Sequence, residues 1–217
     1  MSVDQIYRAV YSGSAVKSSR HAYKRVQFLE ASGYLASVTA THKRVRFLKA
    51  TKRALDLLLI RSVPDVTRTL HIPTKAEIPH AEILTEIRIA ILKSGKHAAG
   101  IWWRSEGSLL EDDAFPSQRF RDLMPDALWI TKSGKRVAIE FERTRKGITR
   151  IRQKVEGLDQ ELRRTDRAFD LVLWVAVDGA HRDLKNAIGT RETQTLRTVN
   201  EFLKELRGES GDGKRTK

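Results

Sequence analysis

Residues 124–147 read MPDALWITKSGKRVAIEFERTRKG. Asp126 follows a proline, a short turn intervenes, and Glu140 and Glu142 then stand one residue apart inside the apolar run Val-Ala-Ile-Glu-Phe-Glu. A carboxylate in a buried strand is costly, and several in one place also repel one another. A hard divalent cation offsets both costs. Mg²⁺ takes oxygen ligands, only a few of them from protein. Beside a phosphate backbone such an ion polarises a phosphoryl oxygen and lowers the pKa of an attacking water. These residue types therefore point to phosphodiester chemistry that depends on Mg²⁺ or Mn²⁺.

Whether the acids meet depends on the turn. A three-residue loop Lys132-Ser133-Gly134, with Gly134 at the position that needs positive φ, pairs Thr131 with Lys135 and therefore Asp126 with Glu140. Directly paired residues share a face, and Glu142, two residues on, shares it too. Two alternatives stay open. A two-residue Ser133-Gly134 loop shifts the register by one and sends Asp126 to the opposite face. Alternatively, Glu140 and Glu142 lie on a solvated edge strand, ion-paired to Arg136, Arg143 or Arg145, with Val137, Ile139 and Phe141 as its single buried face.

The surrounding elements must hold these strands. Residues 3–11 suit a short amphipathic helix with Ile6, Val10 and Tyr11 inward, followed by a break at residues 12–19. Ser18 or Ser19 can cap the next helix, whose apolar stripe is Ala22, Val26 and Leu29, and Gly33 ends it. Two strand-like runs, YLASVTA and KRVRFLKA, and a helix, TKRALDLLLIRS, follow. Helix, helix, hairpin, helix is the order of a winged helix-turn-helix. Such a module has three helices before its wing, and only two are clear here. Either the first precedes the start of this chain, or residues 12–19 hide a very short one. Arg20, Lys24 and Arg25 on the second helix, with Lys43, Arg44 and Arg46 in the wing, are the expected DNA contacts.

Residues 63–79 carry three of the five prolines and read as a linker. From residue 80 the pattern changes to helix (Ile83, Leu84, Ile87 and Ile91 apolar), strand (AGIWWRSEGSLL) and the strand pair 123–130 and 136–142. A helix follows with Ile148, Ile151, Val155, Leu158 and Leu162 at helical spacing. FDLVLWVAVD is an apolar strand buried on both faces. AHRDLKNAI and TQTLRTVNEFLKELRG are expected as two helices. The predicted division is 1–62 winged helix, 63–79 linker, 80–208 second domain and 209–217 disordered tail. The fold class is α+β or α/β, with a mixed sheet flanked by helices.

Of 217 residues, 41 are Lys or Arg against 27 acids, a formal charge of +14. That excess is an argument about partners, and nucleic acid is the usual one. With no cysteine, disulfides and thiolate metal sites are excluded. No apolar run has the length of a membrane span and the N-terminus lacks a signal-peptide core, so the expected location is cytoplasmic. No Gly-rich phosphate loop, HExxH or Ser-His-Asp order is present. Trp102, Trp103, Trp129 and Trp174 lie in strand-like runs and are expected in the core rather than as base-stacking platforms.

MPD, thirteen residues, then EFE on the next strand resembles the core of PD-(D/E)xK nucleases, the restriction-endonuclease-like fold. The chain departs where that pattern ends in lysine, since Glu142 stands there. In some members of the fold a lysine from the following helix serves instead. Lys154, between Ile151 and Leu158, is the candidate here, unless it is an ordinary surface lysine. A narrower resemblance covers most of the chain. The winged helix, His80 opening an amphipathic helix, WWRSEGSLL, PDALWI, IEFERT and a lysine-bearing helix are similar to the replication-relaxation family of plasmid mobilisation proteins. That similarity implies a restriction-endonuclease-like relaxase, or an accessory DNA-binding relative, that nicks or prepares a transfer origin.

By motif match Glu106 joins Asp126, Glu140 and Glu142 as an acid of the site. Asp126, Glu140 and Glu106 are then the expected ligands of Mg²⁺ or Mn²⁺. His80 fits a catalytic role and a structural cap equally, and Glu82 and Glu86 are rival acids on the same helix. The expected function is metal-dependent nicking of double-stranded DNA in plasmid or integrative-element mobilisation. Other mobilisation proteins and a second copy of the chain are further expected partners. The alternative, favoured by Glu142, is a non-catalytic, sequence-specific regulator with a degenerate nuclease domain. An accessory transposition or repair subunit is a third reading.

Overall fold

The computed structural model describes residues 1–11, 19–40, 45–61, 77–144 and 147–208. The chain divides into two compact units, Met1–Leu92 and Lys93–Lys217. The second domain is expected from the sequence to open at residue 80, whereas the helix carrying His80 belongs to the first unit for most of its length.

The first unit contains α1 (Val3–Val10), α2 (Ser19–Ala31), the antiparallel strands β1 (Leu35–Ala40) and β2 (Val45–Ala50), α3 (Lys52–Ile60) and most of α4 (Ile78–Ser94). Ser2 and Gln5 form a capping box at the start of α1, satisfying amides that the helix leaves open. Gln5 is also buried. Its Nε2 donates to the Glu82 carbonyl (3.1 Å) and to Glu86 Oε1 (2.8 Å), while Arg8 forks onto the Glu86 carboxylate at 2.6 Å. These bonds fix the rotation of α1. Val3 and Gln5 are its buried residues, Ile6 and Tyr11 are half-buried, and Val10 is 64% exposed. Of the expected inward face of Ile6, Val10 and Tyr11, Ile6 packs against the core, whereas Val10 is turned outward and Val3 and Gln5 take the buried positions. Periodicity in a two-turn helix does not register a buried glutamine that finds its partners on another helix.

α2 buries Ala22 and Val26 as their spacing predicts. Gly33, at φ +73°, ends the helix, with Tyr34 N–H donating to the Leu29 carbonyl (2.8 Å), the left-handed closure that glycine permits. Val3, Val26 and Leu48 form the small core, with Ile6 and Leu35 against it.

The second unit runs β3 (Trp103–Ser105), α5 (Glu106–Leu109), α6 (Ser117–Phe120), β4 (Ala127–Ile130), β5 (Arg136–Glu142), α7 (Ile148–Leu162), β6 (Leu171–Ala176), α8 (Asp178–Ile188), β7 (Gln194–Thr198) and α9 (Val199–Arg207). Its sheet has the order β3-β4-β5-β6-β7, with antiparallel pairs as far as β5 and parallel pairs beyond it. The molecule is thus mixed α and β, with a five-stranded mixed sheet and helices.

β5 is central and buried from Val137 to Glu142, so the solvated-edge reading of Glu140 and Glu142 is overturned. β7 corrects the expectation of helix over its residues. Gln194-Thr195-Leu196-Arg197-Thr198 has one large apolar residue, so its period is faint. The Thr198–Glu201 capping box marks the helix start that the sequence reading placed too early. The predicted strand AGIWWRSEGSLL shrinks to three residues before α5 begins. Ile151, Val155, Leu158 and Leu162 of α7 pack on Leu128, Ala138, Val172 and Trp174 in one core cluster, while Ile148 is exposed. Among the described residues no helix is long and apolar enough to cross a membrane.

Candidate active site

The β4–β5 turn decides the register. Thr131 N–H donates to the Lys135 carbonyl and Gly134 N–H to the Thr131 carbonyl, each at 2.9 Å, and Gly134 has φ +82°. This is the three-residue loop. Ala127 faces Ile139, so Asp126, one residue earlier, stands opposite Glu140. On the other side Ser105 faces Ala127, which places Glu106 opposite Asp126. Glu106 N–H donates to the Asp126 carbonyl at 3.1 Å. Glu106, Asp126 and Glu140 thus form one row across three neighbouring strand paths, about 4.8 Å apart from path to path. The row lies on the face that carries Leu128 and Ala138, the face against which α7 packs.

The side chains are held individually. Asp126 Oδ2 accepts from the Phe141 amide at 2.6 Å, which ties the acid of one strand to the backbone of the next. Glu140 is 4% exposed. Lys154 reaches it from α7, with Nζ 2.7 Å from Glu140 Oε2 and 3.4 Å from the Met124 carbonyl. Burial pushes the Lys154 ammonium toward neutrality. The charge and hydrogen bond of Glu140, helped by Asp126 and Glu106, outweigh that and hold its pKa above the usual lysine range. The reading of Lys154 as a surface lysine fails here, because its side chain is 26% exposed and spent on this contact. Glu142 shares the Glu140 face, is buried, and accepts weakly from Thr144 N–H at 3.4 Å.

Neighbouring contacts position the loop that brings in Asp126. Arg119 of α6 forks onto the buried carboxylate of Glu161 and also bonds Asp166. Gly157 of α7 lets Leu123 approach closely, since a Cβ there would lie 2.5 Å from Leu123 Cδ2. On the Glu106 side, Arg104 bonds the Ser108 side chain and carbonyl and pairs with Asp112, pinning the turn of α5. Trp174, opposite Glu140 on β6, donates to Gln194, whose amide donates to the Val155 carbonyl at 2.9 Å. Trp174 is core, as expected, and so is Trp103. Trp102 is half-buried and lies 4.7 Å from the His97 ring. Trp129 is also half-buried.

Glu106, Asp126, Glu142 and Lys154 line a cleft of about 800 Å³, together with Arg121, Arg150 and Gln153, while Glu140 lies buried behind Lys154 and is not part of the lining. Arg121, Arg150 and Gln153 escaped the sequence reading. Arg150 had a signal, one helical turn before Lys154 on the same helix. Arg121, in an irregular loop, had none.

Among the described residues no three His, Asp or Glu side chains are grouped tightly enough to hold a metal ion together. Mg²⁺ commonly uses one or two carboxylates and completes its shell with water and substrate oxygens. The carboxylates that could serve an ion in that way are Asp126 and Glu140, in register on adjacent strands with Glu106 beside them.

His80 lies in the first turn of α4, in the first unit, so it is not one of the groups that the second unit assembles. Glu86 is committed to Arg8 and Gln5, and the Glu82 backbone carbonyl to Gln5. On α2, Arg20, Lys24 and Arg25 are exposed. Arg46 is exposed and pairs with Glu30 at 3.1 Å. Lys43, Arg44 and Arg145 lie outside the described residues. Comparison of the chain with known protein families and with curated proteins found no match.

Proposed function

We propose that this chain is a metal-dependent DNA endonuclease that nicks DNA, with a winged-helix first unit and a restriction-endonuclease-like second unit. The observation that carries the reading is the Lys154–Glu140 contact in the row of Asp126 and Glu106. An ion pair with one member buried is weak evidence of a stabilising role, because desolvation offsets much of its attraction. Perturbed charges in a cleft are instead frequent at catalytic sites. The resemblance to plasmid mobilisation proteins narrows the biological setting to plasmid or integrative-element transfer.

In this reading Asp126 and Glu140, with Glu106, hold Mg²⁺ or Mn²⁺. When bound, that ion supplies polarisation of the phosphoryl oxygen and a more acidic water. Lys154 remains an ammonium at neutral pH, so it acts as a fixed positive charge and not as a general base. Placed beside the acids, it stabilises negative charge developing on the phosphate, an effect worth a few kcal/mol in preorganised sites. The helix lysine takes over from the strand position that Glu142 occupies. Arg121 and Arg150 at the cleft attract the DNA backbone.

The test is supercoiled plasmid carrying a transfer origin, incubated with Mg²⁺, Mn²⁺ or EDTA. The wild type is expected to give relaxed product with either metal, and Asp126→Ala and Glu140→Ala to give none while keeping a folded circular-dichroism spectrum. Cleavage retained by both variants contradicts the metal site.

A second reading has its own support. Glu140 already has a cationic partner, and a pair that neutralises itself requires no ion. A chain that binds DNA and never cuts it is the outcome expected of that non-catalytic regulator.

A further inference from the structure

α2 presents an exposed outward face. Ala22 and Val26 point to the core. At 100° per residue, the stripe opposite them is Arg20, Lys24 and Gln27. Tyr23, 50% exposed, flanks it on one side and Phe28, 56% exposed, on the other. Arg25 lies over the Phe28 ring at 5.3 Å. From Ser19 to Leu29 the helix has no acidic residue, and the next residue, Glu30, is engaged by Arg46. Two half-exposed aromatic rings on a helix that is otherwise cationic are not required by packing.

We propose that this stripe reads base edges in the major groove of double-stranded DNA, with Arg20 and Gln27 as the specificity-determining residues. The proposal rests on the DNA-binding half of the reading above and adds sequence selection to it. Charge complementarity commits the face to a polyanion. The polar stripe then supplies the donor patterns that distinguish bases: an arginine fork matches the two acceptors of guanine, and a glutamine amide matches the donor–acceptor pair of adenine. Tyr23 and Phe28 offer apolar contact to thymine methyl groups on either side. Arg20 to Gln27 spans about 10 Å of helix, roughly three base-pair steps. Lys24, between them, and Arg25, on the flank, neutralise phosphates. A-form RNA is the poorer fit, because its major groove is too narrow to admit side chains.

The experiment is selection of a random duplex DNA library by the full chain, repeated with Arg20→Ala, Gln27→Ala and Lys24→Ala, all at exposed positions. The wild type is expected to enrich a short motif. Gln27→Ala should lose one A·T position and Arg20→Ala one G·C position, each with roughly 5- to 150-fold loss of discrimination at that base pair. Lys24→Ala should weaken all sequences alike. Duplex RNA of the selected sequence should not compete. An unenriched library, an unchanged motif in both Arg20→Ala and Gln27→Ala, or effective competition by duplex RNA overturns the proposal. A chain that selects a motif but cuts no DNA refutes the nuclease and leaves this inference standing. A chain that cuts but selects nothing does the reverse.

Discussion

Glu140 sits in the middle of a central strand, where a carboxylate costs several kcal/mol unless it is paired. Its placement becomes intelligible once Lys154 is seen to arrive from α7 at 2.7 Å. Both residues were legible in the sequence. The acid interrupts an apolar run, and the lysine falls between inward positions of an amphipathic helix. What could not be read was the burial of the pair, because that depends on how closely α7 approaches the sheet. Gly157 sets part of that approach. Exchanging a mid-helix glycine for alanine ordinarily stabilises by about 1 kcal/mol. Here the added methyl meets Leu123 Cδ2 at 2.5 Å, and Leu123 leads directly into Met124-Pro125-Asp126. Gly157→Ala is therefore expected to show no net gain in thermal stability and a reduced cleavage rate, with Leu123→Ala in the same chain recovering both. A simple rise in melting temperature at full activity would show that Leu123 moves aside without disturbing Asp126.

At the scale of elements, the β4–β5 hairpin was the most readable feature, because its turn needs a left-handed residue and Gly134 supplies one. β7 was the least readable. An edge strand with a single large apolar residue has neither strict alternation nor a hydrophobic run, and its identity comes from pairing with β6. The β5–β6 junction is tied by Asp170, just before β6. Its Oδ2 accepts from the Arg136 amide at 2.9 Å, and Oδ1 meets Arg167 and Arg136 at 3.3 and 3.5 Å. Burial pushes the Asp170 pKa up, but these donors outweigh burial and hold it below the usual 3.8. A carboxylate with a lowered folded pKa stabilises above its ordinary pKa, and that contribution is lost as pH falls through the folded value. Asp170→Asn is expected to lower stability at pH 7 by about 1 kcal/mol. The gap to wild type should close in acid below pH 3.8 when urea midpoints are compared. A gap independent of pH would mean that packing, not charge, anchors the junction.

For the whole molecule, the net charge of +14 is the broadest support for the proposed nucleic-acid partner. Binding carried by Lys and Arg releases counterions, so affinity for a duplex should fall by about 10³-fold or more between 50 and 200 mM salt if six or more phosphates are neutralised. A titration flat in salt would remove the electrostatic basis of the DNA reading. The exposed cations of α2 and the cleft cations Arg121 and Arg150 lie in different units, which allows recognition and chemistry to be lost separately. In the proposed mechanism Lys154 supplies, from a helix, the charge that the strand lacks at Glu142. The most direct measurement is the single-turnover cleavage rate of DNA at saturating protein with Mn²⁺, for wild type, Lys154→Ala and Lys154→Arg. This role of Lys154 entails a loss of roughly a hundredfold or more in Lys154→Ala at nearly unchanged DNA affinity, and poor rescue by arginine, whose planar fork does not replace a compact ammonium. A wild-type rate in Lys154→Ala, or no cleavage by the wild type itself, would contradict it.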